Sequence, residues 1–492
     1  MSEVYPLRLP NFKHQQREWE EHRDSDARAL LWQMRTGKTK AALDVACYRY
    51  DKGDIDGVLV LAPNGVHVNW IRRQLPIHMW ERVPYKAHAW QASEAHKPGH
   101  GASLERVLNC RDGLAILAVN SESIIHDKPA AVIKRFLKKR RVMLIVDESH
   151  DFRSPGSRRT KRVKALKNYC KVRRILTGTA TSNSPLAAYS QFNILADGAL
   201  GFTRFADFEM EFAVYEEKRT RGGKTYKALS SYRNLDDLQG RIAEWSSVVL
   251  REDVDDMPEL LKEERTVVLP DSLVTAYRTL VEEMIVELED GGEVEALEAG
   301  ARLIKLQQML SGWVIDVEGQ VRDMLPDEEN PRLIGLLEEV QEADRKCIVW
   351  CKFQEDIKRV VRTLEKAGKK CVQYHGAIHS QSKRQAAIDA FNLDPSVDVF
   401  VGQPKAGGQG LDLSAADLIL WYSHTFDLIE RDQANERATQ IGGRTVTLVD
   451  FVTPNSVDEY ILANLEAKRS VSDALTGKGL RDRLLALLRT QL

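Results

Sequence analysis

Leu30-Leu31-Trp32-Gln33-Met34-Arg35-Thr36-Gly37-Lys38-Thr39 is the stretch on which the fold of this chain turns. An apolar lead-in runs into a turn, Gly37-Lys38-Thr39 follows, and residues 40–49 have the composition of a good helix. A strand that ends in such a loop and restarts as a helix aims backbone N–H groups and the positive end of the helix dipole at one spot, which suits phosphate. Lys38 is placed to reach outer phosphates and Thr39 to ligate Mg²⁺ through its hydroxyl. The candidate phosphate-binding set is therefore Met34, Arg35, Thr36, Gly37, Lys38 and Thr39. The pattern is imperfect. Trp32 stands where the loop pattern has its first glycine, and Arg35 holds a second position at which glycine is expected. A Gly-Lys-Thr triplet is common, so the stretch also reads as a plain loop–helix junction, and its surroundings decide.

Outward from it, short apolar runs alternate with helical patterns. They are Val58–Ala62, Leu114–Val119, Met143–Val146, Ile348–Cys351, Val399–Val401, Leu418–Tyr422 and Thr445–Val452. Such alternation predicts parallel sheets with helices on both faces. The set occurs once before about residue 250 and again after about residue 330, so two α/β lobes are expected, with a boundary near Asp255–Pro258.

Acidic and basic residues then mark chemistry. Asp147-Glu148-Ser149-His150 follows the run Val142–Val146. Two carboxylates at the C-terminal end of a buried strand are costly without cations, and that sheet edge is where α/β proteins bind ligands. Asp147 suits Mg²⁺ and Glu148 suits proton acceptance from an attacking water, although strand ends also carry acids for solvation alone. Upstream, Gln15 offers an amide donor and acceptor that could read an adenine edge or simply face solvent. Trp70, on a helix expected over Val66–Leu75, reads as a core anchor. Residues 158–174 hold nine Arg/Lys and no Asp/Glu, an imbalance that favours contact with a polyanion over a solvated helix face. Lys218–Lys224 reads as a basic hairpin tip, whereas 282–298 is acid-rich. Ala406-Gly407-Gly408-Gln409-Gly410-Leu411-Asp412-Leu413 is a second glycine-rich loop after a strand, and Arg437 sits on a later helix from which an arginine could meet a phosphate.

Composition bounds the possibilities. At 492 residues the chain has room for two or more domains. No apolar run approaches the roughly 18 residues of a membrane helix, and the start lacks a secretory pattern. These point to a cytoplasmic protein with no membrane partner. Six scattered cysteines lack paired metal-ligand spacing and read as small buried hydrophobes. With a net charge of −1, any surface for nucleic acid must be local.

Taken in order, Gln15, Gly37-Lys38-Thr39, Ala62-Pro63, Asp147-Glu148-Ser149-His150, Thr177-Gly178-Thr179, Gly407-Gly408-Gln409-Gly410 and Gln433-Ala434 with Arg437 resemble helicase superfamily 2. Asn69-Trp70, Leu176-Thr177-Gly178-Thr179, Leu250-Arg251 with Met257-Pro258, and Leu411-Asp412-Leu413 look most like its SWI/SNF-type branch of double-stranded-DNA translocases. The resemblance covers about residues 8–470. It implies two RecA-like lobes, with residues 1–255 as the ATP-binding lobe, 256–470 as the helicase lobe with a helical insertion near 270–312, and 471–492 as a helical tail. It implies ATP and Mg²⁺ as cofactors and sequence-independent binding of duplex DNA. Gln15 would recognise adenine, Thr39 and Asp147 would hold the metal, and Lys38, Asp147, Glu148 and Arg437 would be catalytic. Thr177 and Thr179 would couple hydrolysis to DNA movement, while Gly410 and Asp412 would approach the nucleotide from the second lobe.

Departures from the family pattern matter. Gln440 stands where a second arginine is usual, Thr439 replaces a histidine and Asp412 an asparagine. Arg437 or Arg444 then takes the finger role, worth roughly 10³–10⁵ in rate in phosphoryl transfer, or hydrolysis is slow. The expectation is a compact motor of bacterial or phage kind, a DNA-dependent ATPase that steps along duplex DNA. A strand-separating or annealing helicase and an ATP-gated DNA-binding scaffold are the alternatives, and a protein partner is left open.

Overall fold

In a computed structural model, residues 7–178, 184–219, 225–289, 296–343, 345–378, 380–405, 411–440 and 442–470 are described. They form two compact units, the first made chiefly of 7–216 and 229–257 and the second of 258–405 and 411–470. Thr179, the glycine-rich segment 406–410 with Gly410, residues 220–224 of the basic turn, 290–295 of the acidic segment and the tail 471–492 lie outside the described residues.

The first unit is built on β1 (Ala27–Trp32), β2 (Gly57–Ala62), β3 (Tyr85–Trp90), β4 (Leu114–Asn120), β5 (Val142–Asp147) and β6 (Cys170–Leu176). A two-stranded sheet of β7 (Ala213–Arg219) and β8 (Thr225–Tyr232) follows, then β9 (Ser246–Val249). Seven of these make one parallel sheet in the order β3-β4-β2-β5-β6-β1-β9. Every residue of β2 and β5 is buried, as expected of strands covered on both faces. Because the strands are parallel, the loops after β1, β5 and β6 all emerge at one sheet edge, where ligands bind in open α/β sheets.

The second unit repeats the plan. Its strands are β10 (Leu260–Thr266), the short antiparallel pair β11 (Trp313–Ile315) and β12 (Val321–Asp323), β13 (Cys347–Trp350), β14 (Cys371–Tyr374), β15 (Val399–Gly402), β16 (Leu418–Trp421) and β17 (Val446–Val452). A six-stranded parallel sheet runs β10-β17-β16-β13-β15-β14. Helices Asp271–Glu289 and Ala296–Leu310 carry Leu273, Tyr277, Leu303, Leu306 and Leu310 into a buried cluster shared with Val457, Tyr460 and Ile461 of the helix Val457–Ser470. The fold is thus two RecA-like lobes with helical additions.

Two expectations change. The helix expected over Val66–Leu75 is interrupted: Val66–Asn69 is α-helical, Trp70–Gln74 is a π-helical turn, and Leu75–His78 resumes the α-helix. Pro76 lies in the first turn of the resumed helix and has no N–H for the i→i−4 ladder, which accounts for the widened turn before it. The basic run 158–174 is not one exposed stripe either. Arg158, Lys161 and Arg162 face solvent on the helix Arg158–Leu166. Lys167 is buried, donating to the Asn193 carbonyl at 2.9 Å and pairing with Asp197. Arg174 is buried and donates to the carbonyls of His22 and Ser25, and Lys171 pairs with Asp54. Three of the nine cations therefore hold the lobe together.

Candidate functional site

The loop after β1 closes on itself before any ligand is considered. Thr36 is fully buried and its hydroxyl donates to the Gln33 carbonyl at 2.7 Å. Gly37 takes φ +88° at the N-terminus of the helix Lys38–Asp51, a conformation that glycine supplies without strain. A β-carbon there would also lie 2.2 Å from Gln15 Nε2, so a side chain would displace the Gln15 amide. The Lys38 ammonium donates to the carbonyls of Trp32 (2.7 Å) and Gln33 (3.1 Å). Arg35 has φ +65°, the left-handed region, at the position where glycine is expected. Met34, Arg35 and Thr39 are half-buried.

Gln15 is buried beside this loop on the helix Lys13–His22. Its Nε2 donates to the Gly37 carbonyl at 3.1 Å and its Oε1 accepts the Phe12 N–H at 3.0 Å. Both ends of the amide are spent on backbone, so Gln15 braces the loop, and reading an adenine edge requires it to exchange a partner. His14 adds a second brace, 2.7 Å from the Thr36 carbonyl. Trp32, at the first missing glycine, is fully buried, donates to Ser247 Oγ at 2.8 Å and meets His14 edge-on. It fills a packing role that a glycine could not.

The acids stand at the end of β5, two strands away from β1 with β6 between. Asp147 Oδ1 accepts the Glu148 N–H at 3.0 Å and Oδ2 accepts the Trp70 indole N–H at 2.8 Å. Burial, and then the charge of Glu148, push the Asp147 carboxyl up to about 6, against the Trp70 hydrogen bond and the Lys38 charge. A buried carboxylate held in that state, within the field of Lys38, has the oxygen-donor chemistry that a divalent cation takes. Glu148 has φ +50° and is buried, its Oε2 3.2 Å from His150 Nδ1. His150 Nδ1 is also 3.2 Å from Thr177 Oγ1. Burial acts to lower the His150 pKa, but the hydrogen bond and charge of Glu148, then Asp151, outweigh it and the net movement is upward. Ser149 donates to Gln191 Oε1 at 2.8 Å, tying the acid segment to the helix Ala187–Leu195.

In the second lobe, Asp412 is half-buried; its carbonyl accepts the Asn392 amide at 2.7 Å and its Oδ1 the Ser414 N–H at 3.4 Å. Arg437 is buried, with Nη1 donating to the Leu411 carbonyl at 3.4 Å. Gln440 is exposed, and Arg444 pairs with Asp417 at 3.4 Å while mostly solvated. A cavity of about 490 Å³ opens at the C-terminal edge of this lobe's sheet, lined by Lys352, Gln403, Lys405, Phe426, Asp427 and Glu430 among others. Burial pulls Lys352 down to about 8 and, with Asp427, pushes Glu430 up to about 7 against Lys405 and Lys352.

Residues 329–445 match the family described as helicase conserved C-terminal domain. The chain is 22% identical over 340 residues to a putative ATP-dependent helicase/translocase, YwqA, of Bacillus subtilis, covering 68% of this chain and 35% of that protein. It is 25% identical over 377 residues to protein CHROMATIN REMODELING 8 of Arabidopsis thaliana, covering 73% and 30% respectively. Over about two thirds of its length the chain is thus similar to ATP-dependent helicases and a chromatin-remodelling protein. It is also similar to a solved Sulfolobus solfataricus SWI2/SNF2 ATPase core in complex with dsDNA, at 18% identity and a TM-score of 0.42, over 98% of this chain and 96% of that one. The chain spans between a fifth and about a third of the length of the first curated relatives it matches.

The first lobe brings together Gln15, Thr36, Gly37, Lys38, Asp147 and Glu148, while Asp412 and Arg437 belong to the second. Sequence reading missed three supporting residues of the site. Trp70 reads as a plain core anchor, yet its indole N–H is spent on Asp147. Gly178 lies against the phosphate loop, where a β-carbon would sit 3.3 Å from the Trp32 carbonyl oxygen and 3.4 Å from the Met34 nitrogen. Gln33 accepts the Arg251 N–H at 2.8 Å, so the Leu250-Arg251 segment is seated on the same loop. Trp70, Leu250-Arg251 and Gly178 (within Thr177-Gly178-Thr179) had only their motif-like wording as a signal.

Proposed function

We propose that this chain is a DNA-dependent ATPase that couples hydrolysis of Mg·ATP to movement along duplex DNA. The observation that carries the reading is the shared sheet edge of the first lobe, where Lys38 bears electrostatically on Asp147 and Glu148 follows it on a left-handed residue. Lys38 exchanges its carbonyl partners Trp32 and Gln33 for the outer phosphates of ATP. Thr39 and Asp147 would hold Mg²⁺, which would offset charge on those phosphates. Glu148 takes the proton of the attacking water, and His150 and Thr177 keep its carboxylate oriented. Thr177, the residue after β6, whose neighbours are β1 and β5, is the proposed start of coupling to DNA. Arg437 is the candidate finger; to serve, it must leave the Leu411 carbonyl.

DNA is held through its phosphates, which makes binding sequence-independent and salt-sensitive. Exposed Arg158, Lys161 and Arg162 of the first lobe, and Lys352 and Lys405 at the sheet edge of the second, are the cations that support this. The setting proposed is the cytoplasm; no helix among the described residues is long and apolar enough to cross a membrane.

A second reading has an observation in its favour. Gln440 is exposed where a second arginine is usual, and Arg437 is buried, which suits an ATP-gated DNA-binding scaffold with slow hydrolysis. One assay separates the two: ATP turnover with and without duplex DNA, for the wild type and for Glu148→Gln. DNA-stimulated turnover that Glu148→Gln abolishes supports the motor. Absence of stimulation in the wild type leaves the scaffold, and an undiminished Glu148→Gln enzyme removes the base assignment. Displacement of a triplex strand without unwinding of a forked duplex distinguishes translocation from strand separation.

A further inference from the structure

We propose that Arg35 is a cation built into the phosphate loop that contacts the terminal phosphate of the bound nucleoside triphosphate, alongside Lys38. The inference rests on the loop being the ATP site, and it assigns Arg35 a role that loop membership alone does not.

The backbone carries the argument. Among the described residues, five non-glycine residues have positive φ: Arg35, Glu148, Asn234, Asp256 and Asn455. Asn and Asp tolerate the left-handed region because their short polar side chains hydrogen-bond locally. Arg35 and Glu148 have no such excuse, and both belong to this one site. Two residues further on, the same loop meets φ +88° with a glycine, Gly37. Glycine at 35 would relieve the strain in the same way, so what is retained at this position is the side chain.

The chemistry of that side chain matches phosphate. A guanidinium is planar, permanently charged and donates in a fork that fits two phosphate oxygens. Arg35 is half-buried rather than extended into solvent. Within the stretch 32–39 it and Lys38 are the two cations. Arg35 moves no proton. Its contact stabilises negative charge as the bond from the terminal phosphorus to the leaving diphosphate breaks and the bond to water forms.

The test uses the full chain with Arg35→Gly and Arg35→Lys. Titration calorimetry with Mg²⁺ measures binding of ADP and of a non-hydrolysable ATP analogue, and turnover and urea unfolding are measured on the same samples. Expected for Arg35→Gly is an unfolding midpoint unchanged or raised, ADP affinity within about twofold of wild type, analogue affinity weakened about tenfold or more, and a lowered kcat. Arg35→Lys is expected between the two. Analogue binding and turnover at wild-type levels in Arg35→Gly overturn the proposal. So does an equal loss of stability and of both nucleotides, which marks Arg35 as shaping the loop. A wild type that binds neither nucleotide sinks the ATP reading itself, whatever Arg35 does.

Discussion

Asp147→Asn removes a charge that the folded first lobe holds at a cost. The Asp147 carboxyl moves from its ordinary 3.8 up to about 6, chiefly because it is buried and secondly because Glu148 is adjacent. A carboxyl whose pKa is raised by folding contributes stability in its protonated form. That contribution is fully present below about 3.8 and is lost as pH rises through about 6. Between pH 5 and pH 8 the wild type therefore loses on the order of 1 kcal/mol from this group. Asn cannot titrate and loses none of it. Asn also has a single carbonyl oxygen for two donors, the Trp70 indole and the Glu148 N–H, so it gives up a hydrogen bond. That loss is the same at both pH values and cancels in the comparison. Urea unfolding of wild type and Asp147→Asn, followed by tryptophan fluorescence at pH 5 and pH 8, reads the difference directly. Asn should gain on the wild type by about 1 kcal/mol between the two. Adding Mg·ATP at pH 8 should then stabilise the wild type and do little for the variant, since ligand stabilisation scales with occupancy. A stability gap that does not change with pH, or that favours the wild type as pH rises, refutes the buried-charge reasoning.

Trp70→Phe removes the indole donor 2.8 Å from Asp147 Oδ2, so it should destabilise the first lobe by about 1–3 kcal/mol and raise the Mg²⁺ concentration needed for half-maximal turnover. An unchanged Mg²⁺ dependence would separate Trp70 from the site. Glu430 is pushed up to about 7 by burial and Asp427, so its contribution to stability is present below about 4.5 and lost as pH rises through about 7. Glu430→Gln should therefore be more stable than wild type at pH 8 and should bind duplex DNA more tightly there, by removing an acid beside Lys352 and Lys405. At pH 6 the two proteins should bind alike, and anisotropy of a labelled duplex at fixed salt, with equal affinities at pH 8, would discard the second-lobe cavity as a phosphate contact.

Much of the fold was legible because it depends on local composition. The expected strands over 58–62, 114–119 and 399–401 extend by only one residue in the structure, since parallel strands buried on both faces are runs of Val, Ile and Leu. Edge strands β3 and β14 went unread because Tyr85–Trp90 and Cys371–Tyr374 mix charged or polar residues with apolar ones, as an edge allows. The helix at 66–75 was half right, and Pro76 supplies the reason it widens.

By itself the sequence determined the two-lobed parallel architecture and marked the loop and acid pair proposed to carry the chemistry, because strand burial and side-chain type are encoded within about ten residues of each position. Only the tertiary structure decided what those residues touch. It set Trp70 against Asp147 across 77 residues, spent the Gln15 amide on the Phe12 N–H and the Gly37 carbonyl, and buried Lys167 and Arg174 out of a run that reads as a uniform basic stripe. Such contacts depend on how crossover connections stack strands that are distant in sequence, and no local pattern of charge or hydrophobicity specifies that distance.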